Sequence, residues 1–248
     1  MSRKQRLRLV APEISTYNKN VLTLSDLKST YPLTHNQEIF FNLYRKNHKA
    51  LLLHGVAGTG KTYIAMYNAF QEILSEDAEV KKLVIVRSAV PSRDIGFLPG
   101  NEKEKVEVYS TPYQEICEDL FPRFGPKAYN KLKEQNLVSF MVTSYVRGLT
   151  LDNSIVIVDE VQNLTDMELN SIMTRVGQNT KIIFCGDFRQ TDLCKKYDVS
   201  GLKKFMQIVD HMQSFRHVEF QVDDIVRSQL VKEYIIARIH CEDMQLVS

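Results

Sequence analysis

Long apolar runs, paired cysteines and any large excess of one charge are all missing from this sequence. No stretch approaches the roughly 18 apolar residues that a membrane-spanning helix needs, and the basic N-terminus lacks the apolar core of a secretory signal. The four cysteines form no CxxC pair and have no histidine at metal-ligand spacing, which predicts reduced thiols in a cytoplasmic protein. A net charge of +2 neither demands nor excludes a nucleic-acid partner. We therefore expect a cytoplasmic protein without a membrane partner.

Apolar runs and helical patterns alternate along most of the chain. With 44% hydrophobic residues, the 248-residue chain can build a core that needs no disulfide or metal. The alternation indicates an α/β fold whose mainly parallel sheet is covered by helices on both faces. The predicted strands are Ala50–Leu53, Leu83–Val86, Leu137–Val142, Ile155–Val158 and Lys181–Cys185. We expect residues 34–248 to form this one domain, and residues 1–33 to be a basic arm that either packs on it or stays mobile.

One glycine-rich segment joins a predicted strand to a predicted helix. It reads Gly55-Val56-Ala57-Gly58-Thr59-Gly60-Lys61-Thr62, which matches the phosphate-binding loop (P-loop) of nucleotide-binding proteins. Glycines let backbone amides wrap phosphate groups closely, Lys61 brings a positive charge to the β- and γ-phosphates, and Thr62 offers a hydroxyl to Mg²⁺. An ordinary strand-to-helix turn would not explain a Lys-Thr pair at these two positions. The segment therefore predicts a binding site for ATP and Mg²⁺.

Two further predicted strands end in polar residues that belong at the same edge of the sheet, where ligands of open parallel sheets bind. Asp159 is expected to hold Mg²⁺, directly or through water, and Glu160 to polarise the attacking water. Gln190 follows the last predicted strand and could sense the γ-phosphate, but an ordinary loop amide explains it equally well. This arrangement predicts hydrolysis of the bound nucleotide.

These segments together resemble the PhoH-like family of P-loop ATPases, a branch of the superfamily 1 helicase-like proteins. The most distinctive segment is Gly96-Phe97-Leu98-Pro99-Gly100, followed by Glu104-Lys105. Further matches are Arg147–Leu151, Asp159–Asn163, Thr174–Gly177, Gly186–Leu193 and Asp224–Val231. The chain departs from the family pattern at Ser88, at Ser92-Arg93-Asp94 and at Ser228-Gln229. No PIN or KH-like segment is found in the sequence, as we expect of the family's minimal form.

The resemblance implies a RecA-like ATPase core, ATP with Mg²⁺ as the ligand, and a link to RNA metabolism or phosphate starvation. It also implies that Gln37 reads the adenine base. The local sequence offers a second interpretation of this residue, because Thr34-His35-Asn36-Gln37 has the form of a capping box for the helix through Leu43.

The segment Glu102–Phe121 also allows two interpretations. Its apolar residues at helical spacing are Val106, Tyr109, Tyr113, Ile116 and Leu120, with Pro112 interrupting the pattern. If Phe97 stacks on a base and Lys103 and Lys105 lie beside it, the region borders a nucleic-acid channel. Otherwise it is a hinge loop followed by an amphipathic helix for core or subunit contacts.

The leading functional hypothesis is an ATP-driven motor that acts on single-stranded RNA. The alternative is an ATP-dependent regulatory switch that binds a protein partner. Phosphorylation of a small molecule is a third and weaker idea, because kinases of this fold rarely need a water-polarising glutamate such as Glu160.

The resemblance also predicts an assembly. Superfamily 1 helicases place ATP between two RecA-like domains, and the second domain supplies an arginine. Since we identify only one such domain here, we expect a ring, most simply a hexamer, in which a neighbouring subunit supplies that arginine. Arg227 is the first candidate for this residue and Arg175 the second. The alternative for Arg227 is an ion pair with Asp223 or Asp224.

Overall fold

A parallel sheet of six strands forms the centre of the fold. The computed structural model describes residues 21–88, 102–187 and 201–245, with the side chains of all but 102–106 and 242–245. Within these residues the strands are β1 (Ala50–Gly55), β2 (Lys82–Arg87), β3 (Val138–Val142), β4 (Ser154–Asp159), β5 (Lys181–Gly186) and β6 (Phe215–Phe220). Their order across the sheet is β3-β2-β4-β5-β1-β6, and every pairing is parallel. The predicted α/β fold with a parallel sheet is confirmed.

Helices cover both faces of this sheet. In the described part of the chain they are α1 (His35–Arg45), α2 (Lys61–Ile73), α3 (Glu102–Leu120), α4 (Ala128–Glu134), α5 (Thr143–Val146), α6 (Asp166–Met173), α7 (Leu202–Asp210) and α8 (Gln229–Gln245). Because successive strand residues point to opposite faces, Leu51 and Leu53 pack with α1 to α4, whereas Leu52 packs in a second core with α5 to α7. Over the described residues, no helix combines the length and the apolarity that crossing a membrane would require.

All five predicted strands are present, with ends shifted by one or two residues. Strands β1, β4 and β5 are buried almost throughout, as a parallel sheet covered on both faces requires. The sixth strand, β6, was not among the predicted strands. It lies at one edge of the sheet and buries Phe215, Val218 and Phe220 but not the residues between them, so its sequence has no continuous apolar run.

The C-terminal part of the predicted arm packs against the domain. Leu22 is 2% exposed and belongs to the core on the α1 side of the sheet. The backbone amide of Lys28 donates to the carbonyl oxygen of Leu120 at 2.8 Å, and its ammonium pairs with Asp119 at 2.9 Å. Residues 1–20, which contain the basic cluster of the arm, lie outside the described residues, and the boundary at residue 33 stays a prediction.

Candidate nucleotide site

The glycine-rich loop connects the carboxyl end of β1 to the first turn of α2. Gly55, Gly58 and Gly60 have φ angles of 115°, 75° and 79°, which side chains with a Cβ rarely allow. A Cβ at Gly55 would lie 2.1 Å from the carbonyl oxygen of Phe220, the same oxygen that accepts a hydrogen bond from the Val56 amide at 3.0 Å. The loop thus leads into the N-terminus of a 13-residue helix, whose partial positive charge favours phosphate.

Lys61 turns its ammonium group into this loop. Its Nζ donates to the carbonyl oxygens of Gly55 at 3.1 Å and Val56 at 2.8 Å, and lies 3.3 Å from the Thr59 hydroxyl. Burial lowers the pKa of Lys61, and nearby acidic groups, Asp187 foremost, oppose that effect. The charge is therefore held inside the loop by neutral oxygens, which the phosphate oxygens of a nucleotide can replace.

Thr62 and Asp159 are in direct contact although they belong to α2 and to the end of β4. The Thr62 hydroxyl donates a hydrogen bond to Oδ1 of Asp159 at 2.8 Å. Mg²⁺ in nucleotide sites is typically held by one or two such hard oxygen ligands together with phosphate oxygens and water. The hydroxyl and the carboxylate therefore fit the Mg²⁺ that the sequence predicts, and these two residues would hold it.

Glu160 is fixed by its backbone and by Gln162. Its φ angle is 53°, in the left-handed region that residues other than glycine seldom occupy. Gln162 donates its amide N–H to Oε2 of Glu160, and its own Oε1 accepts from the backbone amide of Asp187 at 3.1 Å. Burial raises the pKa of Glu160, and the charge of Asp159 adds to this rise, so the carboxylate is a better proton acceptor than an exposed glutamate.

Two residues at this site were missed in the sequence as functional candidates. Tyr113 of α3 donates its hydroxyl to Oδ2 of Asp159 at 2.9 Å, and burial and the Asp159 charge raise the pKa of this phenol. Arg87 ends β2 and is the register partner of Asp159 on β4. Its guanidinium interacts with Tyr113, Glu160 and Asp159. No local spacing connects either residue to Asp159: strand pairing brings Arg87 to it, and the packing of α3 on the sheet brings Tyr113.

These groups line one cavity of about 970 Å³, which is large enough for a nucleotide. Its floor is formed by residues 57–62 of the loop and by the carboxyl ends of the strands, with Arg87, Asp159, Glu160 and Asp187. Residues 28–31, Leu33 and Gln37 line it on the side of α1, and Pro112, Glu115 and Ile116 of α3 line it elsewhere. Every described residue of the predicted P-loop and metal pair except Gly55 and Val56 faces this cavity.

Gln37 is 2% exposed, lines the cavity and contacts the P-loop. Its Nε2 donates to the carbonyl oxygen of Thr59 at 3.0 Å, and its Oε1 accepts from the backbone amide of Leu33 at 2.8 Å. Thr34 caps α1 by accepting from the Gln37 backbone amide at 3.4 Å, but the Gln37 side chain does not return to Thr34. The capping-box interpretation is therefore wrong in its second half, and the adenine-reading role stays a prediction.

Arg227 lies against the P-loop of its own chain. Its Cγ is 3.0 Å from the position that a Cβ on Gly58 would occupy, and its side chain lines the cavity. Asp224, one of its two predicted ion-pair partners, instead accepts hydrogen bonds from the Asn36 side chain at 2.7 Å and from the Gln221 amide at 2.8 Å. Arg227 therefore lies beside the P-loop of its own chain, and its role as an arginine supplied to a neighbouring subunit stays a prediction.

The remaining predicted site residues lie away from the cavity or outside the described residues. Arg175 does not line the cavity, and its Nε is buried without a hydrogen-bond partner among the described residues. Gln190, Phe97 and the Gly96–Gly100 loop lie outside the described residues, and so do the side chains of Lys103 and Lys105. The γ-phosphate sensor and the nucleic-acid channel stay predictions.

A P-loop between a strand and a helix, a Thr62–Asp159 pair at the sheet edge and an all-parallel sheet together define a P-loop nucleotide-binding protein with a RecA-like core. The chain belongs to the PhoH-like family, because the sequence model described as PhoH-like protein matches residues 29–238.

Curated relatives agree with this membership. The chain is 32% identical to the PhoH-like protein of Bacillus subtilis (strain 168), with 90% of this chain and 68% of that protein covered. It is 31% identical to the PhoH-like protein of Mycobacterium leprae (strain TN), with 96% and 68% covered. Protein PhoH of Escherichia coli (strain K12) is 30% identical, with 86% and 60% covered. The chain thus spans about two thirds of the length of these relatives.

Solved structures with a related fold are more distant. A large terminase from a thermophilic bacteriophage aligns with 82% of this chain and 50% of its own, at a TM-score of 0.49 and 13% identity. The Pif1 helicase from Candida albicans aligns with 77% of this chain and 40% of its own, at a TM-score of 0.40 and 15% identity. This chain thus spans half or less of those chains.

The close approach at Gly55 leads to a prediction that uses two glycines with positive φ. Gly55→Ala should destabilise the protein and weaken nucleotide binding, because the new Cβ would collide with the Phe220 carbonyl oxygen. Gly148→Ala is the matched control, since Gly148 has a φ of 86° but no atom within 4 Å of the place that a new methyl group would take. Gly148→Ala should lower the free energy of unfolding by only about 1–2 kcal/mol, through backbone strain. Melting temperature and nucleotide affinity measure both effects, and equal losses in the two variants would contradict the steric explanation.

Proposed function

We propose that this protein hydrolyses ATP with Mg²⁺ and uses the energy to act as a motor on single-stranded RNA. The observation that carries the hydrolytic half is the contact of Thr62 with Asp159 beside Glu160, in the same cavity as Lys61. Family membership and the likeness of its motifs to superfamily 1 helicases support the RNA half. This chain spans about two thirds of the length of those relatives, and the substrate of the motor is therefore tested directly on this protein.

In this mechanism the P-loop binds the phosphates first. Lys61 exchanges its contacts with the Gly55 and Val56 carbonyl oxygens for oxygens of the β- and γ-phosphates, and the N-terminus of α2 adds its positive field. Mg²⁺, when bound, neutralises phosphate charge and orients the phosphoryl group. Thr62 and Asp159 would hold it, and they place that site beside Glu160.

Glu160 then acts on the attacking water. Its raised pKa makes the carboxylate a proton acceptor, and the hydrogen bond from Gln162 keeps it aimed into the cavity. Because Gln162 also accepts from the backbone amide of Asp187, the ends of β4 and β5 hold Glu160 jointly. A shift of either strand end would misplace the carboxylate, and a misplacement of about 1 Å can cost roughly 100-fold in rate.

We propose that Arg87 supplies the cation that stabilises the transferring phosphoryl group. It lines the cavity beside Asp159 and Glu160 in the same subunit, whereas Arg175 does not line it. Arginines can perform this role in cis as well as in trans. The proposal replaces the expected trans arginine, and hydrolysis then does not depend on the hexameric ring, which stays a prediction.

Glu160→Gln tests the water-polarising role. The amide keeps the shape of the side chain and can bind water, but it is a poor proton acceptor, so ATP should bind while turnover falls by several orders of magnitude. Nucleotide affinity and single-turnover hydrolysis measure the two parts separately. Loss of ATP binding in this variant would instead make Glu160 a structural or metal-holding residue.

Arg87→Ala tests the assignment of the cation. Arginine fingers are typically worth about 10³–10⁵ in rate, so turnover should fall by at least about 100-fold with little change in ATP affinity. Arg45→Ala is the control, because Arg45 is an exposed arginine on α1 that does not line the cavity. If Arg87→Ala keeps its turnover while Arg175→Ala or Arg227→Ala loses it, and mixed subunits restore activity, the trans assignment is correct.

The motor is tested by measuring ATP turnover with and without single-stranded RNA. A motor couples hydrolysis to its track, so the rate should rise several-fold with single-stranded RNA and the stimulation should weaken as salt increases. Lys61→Ala protein prepared in parallel excludes a contaminating ATPase. A turnover rate that no concentration of RNA changes would rule out the motor.

The regulatory switch is a second candidate because of α8. Leu230 and Tyr234 on this helix are 76% and 66% exposed, and large apolar side chains at such exposure suit a protein partner. ATP hydrolysis that RNA does not stimulate would favour the switch.

A further inference from the structure

Tyr113 and Thr62 bind the two oxygens of the same carboxylate. The Tyr113 hydroxyl donates to Oδ2 of Asp159 at 2.9 Å, and the Thr62 hydroxyl donates to Oδ1 at 2.8 Å. Tyr113 is 0% exposed and Asp159 is 7% exposed, so bulk water cannot readily take over either bond. Both oxygens of the expected metal ligand are therefore directed by side chains from two different helices, α2 and α3.

The hydroxyl of Tyr113 is not required for packing. The ring lies in the core with Phe140, at 5.5 Å between ring centroids, where a phenylalanine would fill the same volume. A buried hydroxyl costs free energy unless it is hydrogen-bonded, and this hydroxyl bonds to Asp159. The contribution of the Tyr113 hydroxyl is therefore its hydrogen bond to the Asp159 carboxylate.

The direction of that hydrogen bond follows from the chemistry of its two groups. An ionised carboxylate has acceptors but no donor, so the Tyr113 hydroxyl donates to Oδ2 of Asp159. Arg87, the register partner of Asp159 on the neighbouring strand, interacts electrostatically with both residues, and its positive charge favours the ionised form of the carboxylate.

We propose that Tyr113 is a positioning residue of the metal site, which holds the Asp159 carboxylate so that Oδ1 faces Thr62 and the Mg²⁺ of the bound nucleotide. The inference rests on the proposed ATPase function. Rotation of a carboxylate about its last torsion is only weakly restricted, whereas Mg²⁺ demands near-octahedral geometry. Hydrogen-bond partners of metal ligands typically change metal affinity by about 10–100-fold.

Tyr113→Phe removes this hydrogen bond and keeps the ring. The readouts are the dissociation constant of a fluorescent ATP analogue, with Mg²⁺ and with EDTA, and the Mg²⁺ concentration for half-maximal turnover. We expect the affinity gained from Mg²⁺ to fall about tenfold and the Mg²⁺ requirement to rise by a similar factor. Affinity in EDTA should not change, and excess Mg²⁺ should restore turnover to within about twofold of wild type.

Tyr129→Phe is the matched control. Tyr129 is a buried tyrosine of α4, 5% exposed, and does not line the cavity. This variant loses the same hydroxyl but should keep the wild-type Mg²⁺ requirement. If Tyr113→Phe also keeps the wild-type requirement, or if its affinity falls equally in EDTA, the inference is wrong. If wild-type protein shows no Mg²⁺-dependent nucleotide binding or hydrolysis, the proposed function itself fails.

A stability measurement tests the hydrogen bond without any nucleotide. The fall in melting temperature caused by Tyr113→Phe should be smaller in an Asp159→Asn background, because a neutral amide loses less than a buried carboxylate when the donor disappears. Equal falls in both backgrounds would overturn the inference. This comparison also covers the case in which Tyr113→Phe is too unstable for binding assays, because urea midpoints at low temperature can replace melting temperatures.

Discussion

The hydrogen bond between Thr62 and Asp159 depends on the order of the strands more than on either residue. Strands β1 and β4 are not neighbours, since β5 lies between them, so the P-loop must pass over the carboxyl end of β5 to bring Thr62 to Asp159. That end is Gly186, where a Cβ would lie 2.9 Å from Oε1 of Gln162. A larger residue would displace the side chain that holds Glu160. The proposed catalytic geometry therefore depends on parallel strands in this register, and the glycine that ends β5 leaves room for Gln162.

The charges at this edge of the sheet stabilise one another. Burial acts against each ionised group, as the lowered pKa of Lys61 and the raised pKa of Glu160 show. Arg87 and Lys61 lower the electrostatic cost of the paired carboxylates Asp159 and Glu160. Removing one charged member of such a set leaves the opposite charges buried without a partner. The free energy of folding lost in this way exceeds the contribution of a single contact. For this reason a change that keeps all the charges, such as tyrosine to phenylalanine, isolates one contact, whereas removal of a charged member changes the whole set.

The sequence predicted those parts of the site that are consecutive in the chain. The P-loop places Lys61 and Thr62 by local geometry, and the apolar run before Asp159 indicates a strand that ends at the same edge. Tyr113 and Arg87 could not be found in this way, because Tyr113 is 46 residues from Asp159 and Arg87 meets it only through strand pairing. Strand β6 was missed because this edge strand buries only Phe215, Val218 and Phe220, so its sequence has no continuous apolar run. The position of Arg227 beside the P-loop of its own chain could not be predicted either, because it depends on how the segment after β6 folds back onto the loop.

In the proposed function a bound nucleotide would replace some of the hydrogen bonds around Asp159 and leave the others unchanged. Lys61 bonds to the loop's own carbonyl oxygens and Thr62 to Asp159 Oδ1. In the proposed function both residues would exchange these partners for phosphate or metal. A ligand shifts a structure only through interactions that differ between two states, so these exchanges are where binding energy can alter the protein. The bond from Tyr113 to Oδ2 and the bridge from Gln162 to Asp187 can persist through the exchange. In the proposed function they would keep Asp159 and Glu160 in place while the P-loop side of the site rearranges, so that each round of binding would return to the same geometry.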